Sequence, residues 1–335
     1  MLPDEIEALT AELGEPKFRA KQLFSWLQSG VTSFDGMTNI PKSLREKLSA
    51  VGYIANAEIE QKFESQLDGT VKFLFRMNDG MNIESVLMKY RHGYSICIST
   101  QVGCRMGCSF CASTVNGLDR SLTASEMLAQ IMSAQNSCGV RISNIVLMGM
   151  GEPFDNYDNV LRFLELVSHP DGLNIGMRHI SLSTCGRVDG IRRMMNEKLQ
   201  LTLSVSLHAP NDRIRTAIMP INKKWNVDTL LTACRDYIDA TGRRISFEYA
   251  MIKGVNDTDE CAHELANKLR GMLCHVNLIP ANEIRENDYV RSDASRLCRF
   301  KSILEQYGVT TTVRRTLGSD ISASCGQLRQ KYGNK

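Results

Sequence analysis

Beyond Gly93, short strand-like runs alternate with helix-length segments as far as residue 315, and this alternation limits the fold more than any other feature. The runs cover residues 95–100, 144–150, 179–184, 201–207, 245–251, 275–280 and 310–315. Between them, segments such as 124–134, 160–167 and 227–240 carry apolar residues at helical spacing. Repeated β-α units with buried-looking strands predict an α/β fold with a parallel sheet, closed or partly closed into a barrel. Chemistry in such folds collects at the carboxyl ends of the strands. Glu152, Ser183, Ser206, His208 and Asn282 fall at or just beyond these ends, which makes them candidate site residues.

The first 50 residues read differently. Ile6, Leu9 and Leu13 make one helical apolar face. Ala20, Leu23, Phe24 and Leu27 make a second after Pro16, and Leu44 and Leu48 a third after Pro41. Lys17, Arg19, Lys21, Lys42, Arg45 and Lys47 lie between them and predict a basic solvent side. From Val71 the period becomes two, with a turn at Asp79-Gly80 and extended character again from Glu84 to Met88. The predicted organisation is a helical head over 1–52, a short antiparallel β-ribbon linker over 53–92, a core over 93–328 and a tail over 329–335.

Charge says little about partners. Lys and Arg total 40 against 37 Asp and Glu, so an anionic partner must meet a local basic surface. No apolar run approaches the ~20 residues of a membrane helix, and the first residues are acidic where a secretory signal is basic. A cytoplasmic location without membrane contact is expected. In that reducing setting the 11 cysteines point away from a disulfide framework and toward metal or catalytic sulfur.

Three of them, Cys104, Cys108 and Cys111, form a C-x3-C-x2-C pattern on a loop after a strand. No fourth Cys or His follows closely. A structural zinc site wants four closed ligands, for which Cys97 would have to be recruited. A cubane [4Fe-4S] cluster held by three cysteines keeps one iron open for a substrate, and the amino and carboxylate groups of S-adenosylmethionine (SAM) suit it. Gly149-x-Gly151 has no third glycine opening a helix, so it is not a dinucleotide fingerprint.

With these residues in view, the sequence resembles the RlmN/Cfr family of radical-SAM RNA methyltransferases, most closely its RlmN branch. The resemblance runs from the helical head to Gln327. It is carried by the stretch from Cys97 to Cys111, by Met148-Gly149-Met150-Gly151-Glu152-Pro153 and by Ser206-Leu207-His208-Ala209-Pro210-Asn211-Asp212. Met219-Pro220-Ile221-Asn222-Lys223-Lys224 and Asp320-Ile321-Ser322-Ala323-Ser324-Cys325-Gly326-Gln327-Leu328 complete it.

The resemblance implies a partial (β/α)6 radical-SAM barrel behind an RNA-binding helical domain. It also implies methylation of adenosine C2 in 23S rRNA and in some tRNAs. Cys104, Cys108 and Cys111 would hold a [4Fe-4S] cluster. Gly151, Glu152, Ser183, Ser206, Leu207, His208 and Asn282 would contact SAM, two molecules of which serve each turnover. Cys325 would be methylated by the first SAM, and the 5′-deoxyadenosyl radical from the second would activate that methyl group for attack on the base. Cys97 would release the product by forming a transient disulfide with Cys325, and Glu84 would accept the C2 proton. An electron donor such as flavodoxin or ferredoxin is implied as well.

Alternatives stand beside several of these. Glu84 alone reads as an exposed charge on an edge strand, and His208 alone as a satisfied structural histidine. Cys138, Cys185, Cys234, Cys261, Cys274 and Cys298 have no motif around them and read as buried small apolar residues. The activity has two rivals: C8 methylation of the same rRNA adenosine, as in the Cfr branch, and a non-catalytic RNA-binding protein with a structural metal.

Overall fold

The computed structural model describes residues 1–282, 287–324 and 326–328. Cys325 and the tail over 329–335 lie outside the described residues.

The head consists of α1 (Pro3–Glu12), α2 (Phe18–Gln28) and α3 (Lys42–Val51). Ile6, Leu23, Phe24, Leu44 and Leu48 are buried, as their spacing predicts. The expected basic face is weaker than the lysines and arginines suggest. Residues 1–52 hold six Lys and Arg against seven Asp and Glu. Lys17 pairs with Glu7, Lys42 with Glu46, Arg45 with Asp35 and Lys47 with Glu15.

Three antiparallel strands follow: β1 (Ala57–Glu64), β2 (Val71–Met77) and β3 (Asn82–Tyr90). β3 pairs antiparallel with β4 (Gly93–Cys97), which begins the parallel part of the sheet. The ribbon is therefore continuous with the core sheet. The core continues through β5 (Gln101–Gly103), β6 (Leu118–Ser121), α4 (Ala124–Cys138), β7 (Ile142–Leu147), α5 (Tyr157–Ser168), β8 (Ile180–Thr184), α6 (Val188–Glu197) and β9 (Thr202–Ser206). It ends with α7 (Asp212–Ile218), α8 (Val227–Thr241), β10 (Ile245–Met251), α9 (Asp259–Leu269), β11 (Cys274–Pro280), α10 (Ala294–Gln306) and β12 (Thr311–Val313).

One sheet runs in the order β1-β2-β3-β4-β7-β8-β9-β10-β11-β12, and β5 pairs with β6 apart from it. From β4 to β12 all neighbours are parallel. This is the expected partial barrel, six β/α units followed by a seventh parallel strand, β12, and it is open because no pairing joins its ends among the described residues. Five of these helices, α4, α7, α8, α9 and α10, begin where the sequence supplies a side-chain cap. Thr123 accepts from the Glu126 N–H while the Glu126 carboxylate accepts from the Thr123 N–H, and α4 ends on Gly139 at φ +62°.

The parallel strands alternate more than buried strands were expected to. Ile145, Leu147, Ile180, Leu182, Leu203, Val205, Phe247, Val276 and Leu278 are fully buried in the core. The other face carries Ser181, Ser183, Ser204, Ser206, Ser246, Glu248 and Asn277. A polar inner face is what an open barrel needs if it is to hold polar reactants. Part of it lines a cavity of about 480 Å³ toward the amino ends of β8–β11.

Candidate active site

The cysteine loop leaves β5 through a turn only glycine can make. Gly103 sits at φ +76°, and a Cβ there would stand 2.1 Å from the Gly117 carbonyl oxygen. The Cys104 N–H donates to that same carbonyl at 2.7 Å, and the Cys111 N–H to the Cys108 carbonyl at 3.1 Å. Asp155, in the turn after β7, pins the loop from outside. Its carboxylate accepts from Arg105 at 2.5 Å and also from Arg187. Burial would raise the Asp155 carboxyl, but the Arg105 and Gln101 donors outweigh it and hold it below the usual range.

Cys104, Cys108 and Cys111 line one cavity of about 140 Å³ at the carboxyl ends of the parallel strands. Gly151, Glu152, Ser183, Ser206, His208 and Asn282 line it too. Leu207 does not: its side chain is fully buried, and its carbonyl accepts from Arg215 Nε at 3.1 Å. Burial pushes the Cys104 thiol up to about 12 and the Cys108 thiol well above its ordinary value, so thiolate forms there only with a cation to stabilise it. Among the described residues no group of three His, Cys, Asp or Glu is drawn together as the ligands of a single ion would be. The three thiols share that cavity as lining residues, a donor set of the kind a cubane takes. Cys97, the fourth sulfur a zinc site would need, lines a different cavity.

Gly151 and Glu152 differ in detail from the sequence reading. Gly151 has φ +104°, and a Cβ there would meet the Gln101 side chain at 2.6 Å, so the glycine serves a close approach of Gln101. The Glu152 carboxylate is buried and holds two backbone donors, Phe154 N–H at 3.1 Å and Cys185 N–H at 2.7 Å. Burial raises its carboxyl above the ordinary range, with those two amides acting against the rise.

His208 has φ +55° and is buried, with Phe110 edge-on at 4.7 Å between centroids. Its Nδ1 accepts from the Ala250 N–H at 2.8 Å, which leaves the proton on Nε2. Burial lowers its pKa to about 3. We therefore expect one imidazole to stay neutral and Nε2-protonated throughout pH 8 to 5 in a 15N-histidine spectrum of the folded protein. A cavity histidine titrating near 6.5 would contradict this.

Glu84 is fully buried on β3, an inner strand paired on both sides. This replaces the exposed edge-strand reading. Its carboxylate lies 3.4 Å from Lys72 Nζ. Strand alternation puts Glu84 on the face of Val86 and Met88, which line a second cavity together with Cys97 and Ser324. Cys97 is buried and pairs directly with Val86 across β3 and β4. Ser99 ties this corner together: its Oγ donates to the Glu84 carbonyl at 2.6 Å and accepts from the Met150 N–H at 2.9 Å. The two cavities share a wall formed by Met148, Ile279, Asn282, Arg314 and Leu328.

Sequence reasoning missed Arg215, fully buried in α7. It donates to the carbonyls of Leu207, Cys185 and Ser206 and to Asn222 Oδ1, fixing the ends of β8 and β9 under the cavity. Its place four residues after Asn211, itself the α7 cap, is the only local signal. Of the six cysteines read as buried apolar residues, Cys234, Cys261 and Cys274 are buried, Cys138 is half-buried and Cys298 is exposed. Cys185 is buried but lines the first cavity.

An open parallel barrel with a three-cysteine loop beyond its first parallel strand is the architecture of a radical-SAM enzyme, and the radical SAM superfamily model matches residues 98–266. The model of the ribosomal RNA large subunit methyltransferase N-terminal domain matches residues 1–54. The chain is 54% identical over 330 residues to a probable dual-specificity RNA methyltransferase RlmN of Clostridium novyi, covering 98% of this chain and 96% of that one. It is 53% identical over 328 residues to the protein so named in Alkaliphilus oremlandii, with coverage of 98% and 96%. The crystal structure of a radical SAM methyltransferase from Sphaerobacter thermophilus matches with a TM-score of 0.94 at 44% identity, covering 98% of this chain and 97% of that one. The chain belongs to the RlmN family of radical-SAM RNA methyltransferases. Membership implies a [4Fe-4S] cluster, SAM, an RNA substrate and a reductant. Among the described residues no helix is long and apolar enough to cross a membrane.

Proposed function

We propose that this chain methylates C2 of an adenosine in the peptidyl-transferase centre of 23S rRNA, and the adenosine 3′ of the anticodon in some tRNAs, with Cys325 as the methyl carrier. The observation that carries this reading is the wall shared by the two cavities. Gly326 lines the cluster-side cavity, Ser324 the Cys97-side cavity, and Leu328 both. The described neighbours of Cys325 thus border the place where the radical would arise and the place where the resolving thiol sits. The name dual-specificity RNA methyltransferase, given to the relatives, supports two classes of RNA.

When bound, the cluster and two SAM per turnover supply the methyl group and the 5′-deoxyadenosyl radical. Cys104, Cys108 and Cys111 hold the cluster. Gly151, Glu152, Ser183, Ser206, His208 and Asn282 hold SAM, and Leu207 acts through its carbonyl, which anchors Arg215 beneath them. Cys325 presents the carbon to the base, Glu84 takes the C2 proton once the carbon is attached, and the adduct's one unpaired electron would return to the cluster that first supplied it. The Cys97 sulfur then attacks the Cys325 sulfur. An S–S bond forms and the S–C bond breaks, its electron pair leaving with the carbon, which gains a proton to become the methyl group. A thiol reductant restores both cysteines, and flavodoxin or ferredoxin feeds the cluster. Residues 1–52 act as the RNA-binding accessory domain, 53–92 as its β-ribbon link and 93–328 as the core of a cytoplasmic enzyme.

Mass mapping of adenosines in rRNA and tRNA from cells lacking the protein tests this. Loss of 2-methyladenosine at one 23S site and in a tRNA subset is expected. Loss of 8-methyladenosine instead would replace C2 by C8, and unchanged RNA would end the proposal.

A further inference from the structure

The segment that brackets residue 325 is held from two directions. Toward the ribbon, it exchanges carboxylates with the β1–β2 turn. Asp68 in the turn accepts from the Gly318 N–H at 2.9 Å. Asp320 in the segment accepts from Ser65 Oγ at 2.7 Å and from the Gln66 N–H at 3.0 Å. Lys72 adds a third link, its Nζ 3.2 Å from the Ser322 carbonyl and 3.4 Å from the Glu84 carboxylate. Between these links the segment is a tight turn. Gly318 has φ +61°, and a Cβ there would stand 2.7 Å from the Ala323 Cβ. The N–H groups of Ile321 and Ala323 both donate to the Gly318 carbonyl. Toward the cysteine loop, the Gly326 carbonyl accepts from the Ala112 N–H at 2.8 Å and the Leu328 carbonyl from Ser113 Oγ at 2.7 Å.

The carboxylate exchange lies at the rim of the fold, with Ser65 and Gly318 buried and Asp68 half-buried. Gln66 and Asp320 are exposed, and Leu67 at the tip of the turn is 70% exposed. Polar pairs in such a place add little to stability. What they do is fix one segment against another.

We propose that Asp68 and Asp320 are positioning residues: a reciprocal latch between the β1–β2 turn and the C-terminal segment that seats this segment for carbon transfer to RNA. The proposal rests on the reading of Cys325 as carrier. Carbon transfer demands near-contact alignment, where a displacement of about 1 Å can cost on the order of a hundredfold. Reductive SAM cleavage involves the cysteine loop and the strand ends, which the latch does not touch. Releasing the latch should therefore uncouple the two.

The test uses the full-length, cluster-reconstituted enzyme carrying Asp68→Ala and Asp320→Ala together. The quantity read is 5′-deoxyadenosine formed per methyl group delivered to RNA. We expect iron content and SAM cleavage near those of the unaltered enzyme, with the ratio raised at least about fivefold. Asp68→Asn with Asp320→Asn, which keeps one of the two acceptor oxygens at each position, should recover part of the coupling. An unchanged ratio would overturn the latch. So would a parallel fall in cleavage and methylation, the mark of a merely structural role. Cys325→Ala in the same assay keeps the two readings apart. Methyl delivery by that variant would sink the carrier itself, whereas its inactivity combined with an unchanged ratio in the aspartate variants would sink only the latch.

Discussion

Cys97→Ala should accumulate with RNA covalently attached, while Cys325→Ala should carry none. The asymmetry follows from the order of steps, because a nucleophile needed only for release strands the preceding intermediate when it is removed. The substitution suits the site. Cys97 is a buried residue at the end of β4, and alanine there loses a single sulfur atom, at a cost of about 1 kcal/mol by analogy with small core truncations. The fold should survive. Turnover should drop by at least about a hundredfold, the scale on which losing a group that acts in the chemistry is felt. A denaturing gel of each variant purified from cells, read for RNase-sensitive mobility shifts, decides the matter. RNA on Cys325→Ala but not on Cys97→Ala would reverse the roles. Continued methylation by both, with no trapped RNA, would remove the sulfur carrier altogether.

The second large effect belongs to the cysteine loop. Cys108→Ala should abolish 5′-deoxyadenosine formation and cut iron content after anaerobic reconstitution, because a cubane left with two protein thiolates has lost one of its anchors. Cys108 is buried, and the Ser109 N–H beyond it donates to the Ile218 carbonyl at 3.0 Å, so the loop keeps its backbone support without the sulfur. Cys234→Ala is the matched control. Cys234 is equally hidden, but in α8 and away from the cavity, so its loss should lower stability modestly and leave the iron in place. Retained SAM cleavage in Cys108→Ala would refute the ligand assignment.

The alternation beyond Gly93 was enough to find every strand of the parallel sheet, because each is bounded by turns and has an apolar side that must be buried. β1 was not legible. It reads Ala57-Glu58-Ile59-Glu60-Gln61-Lys62-Phe63-Glu64, mostly exposed, with a register shift between Ile59 and Gln61 that breaks its period. It is a strand because β2 offers it a free edge, which is a tertiary cause. The cavity residues were legible as polar groups at strand ends, and the three cysteines that line the same cavity through their spacing. Leu207 shows the limit of a motif: it conveys a position, and packing turned this side chain into the core and its carbonyl to Arg215. Asp155 and Lys72 escaped because nothing local marks them, and Arg215 because its one local mark, the Asn211 cap four residues before it, says nothing of where its side chain goes. Each works by reaching across the fold: Arg215 to strand ends, Asp155 to Arg105, and Lys72 to the Ser322 carbonyl.

The two-sided anchorage of the C-terminal segment also bears on the order in which the enzyme is built. Its bonds join residues far apart in the chain: Ser65 with Asp320 across 255 positions, Lys72 with Ser322 across 250 and Ser113 with Leu328 across 215. A growing chain emerges from its amino end, and domains form as their residues become available. Cys104, Cys108 and Cys111, the β1–β2 turn and the strand ends around the first cavity are thus synthesised before residues 317–328 exist. Contacts of such long sequence separation are also the slow ones to form. The nascent protein therefore passes through an interval in which its thiols are assembled in a cavity that still lacks one wall. Residues 317–328, which supply that wall, come last among the described residues that line the two cavities.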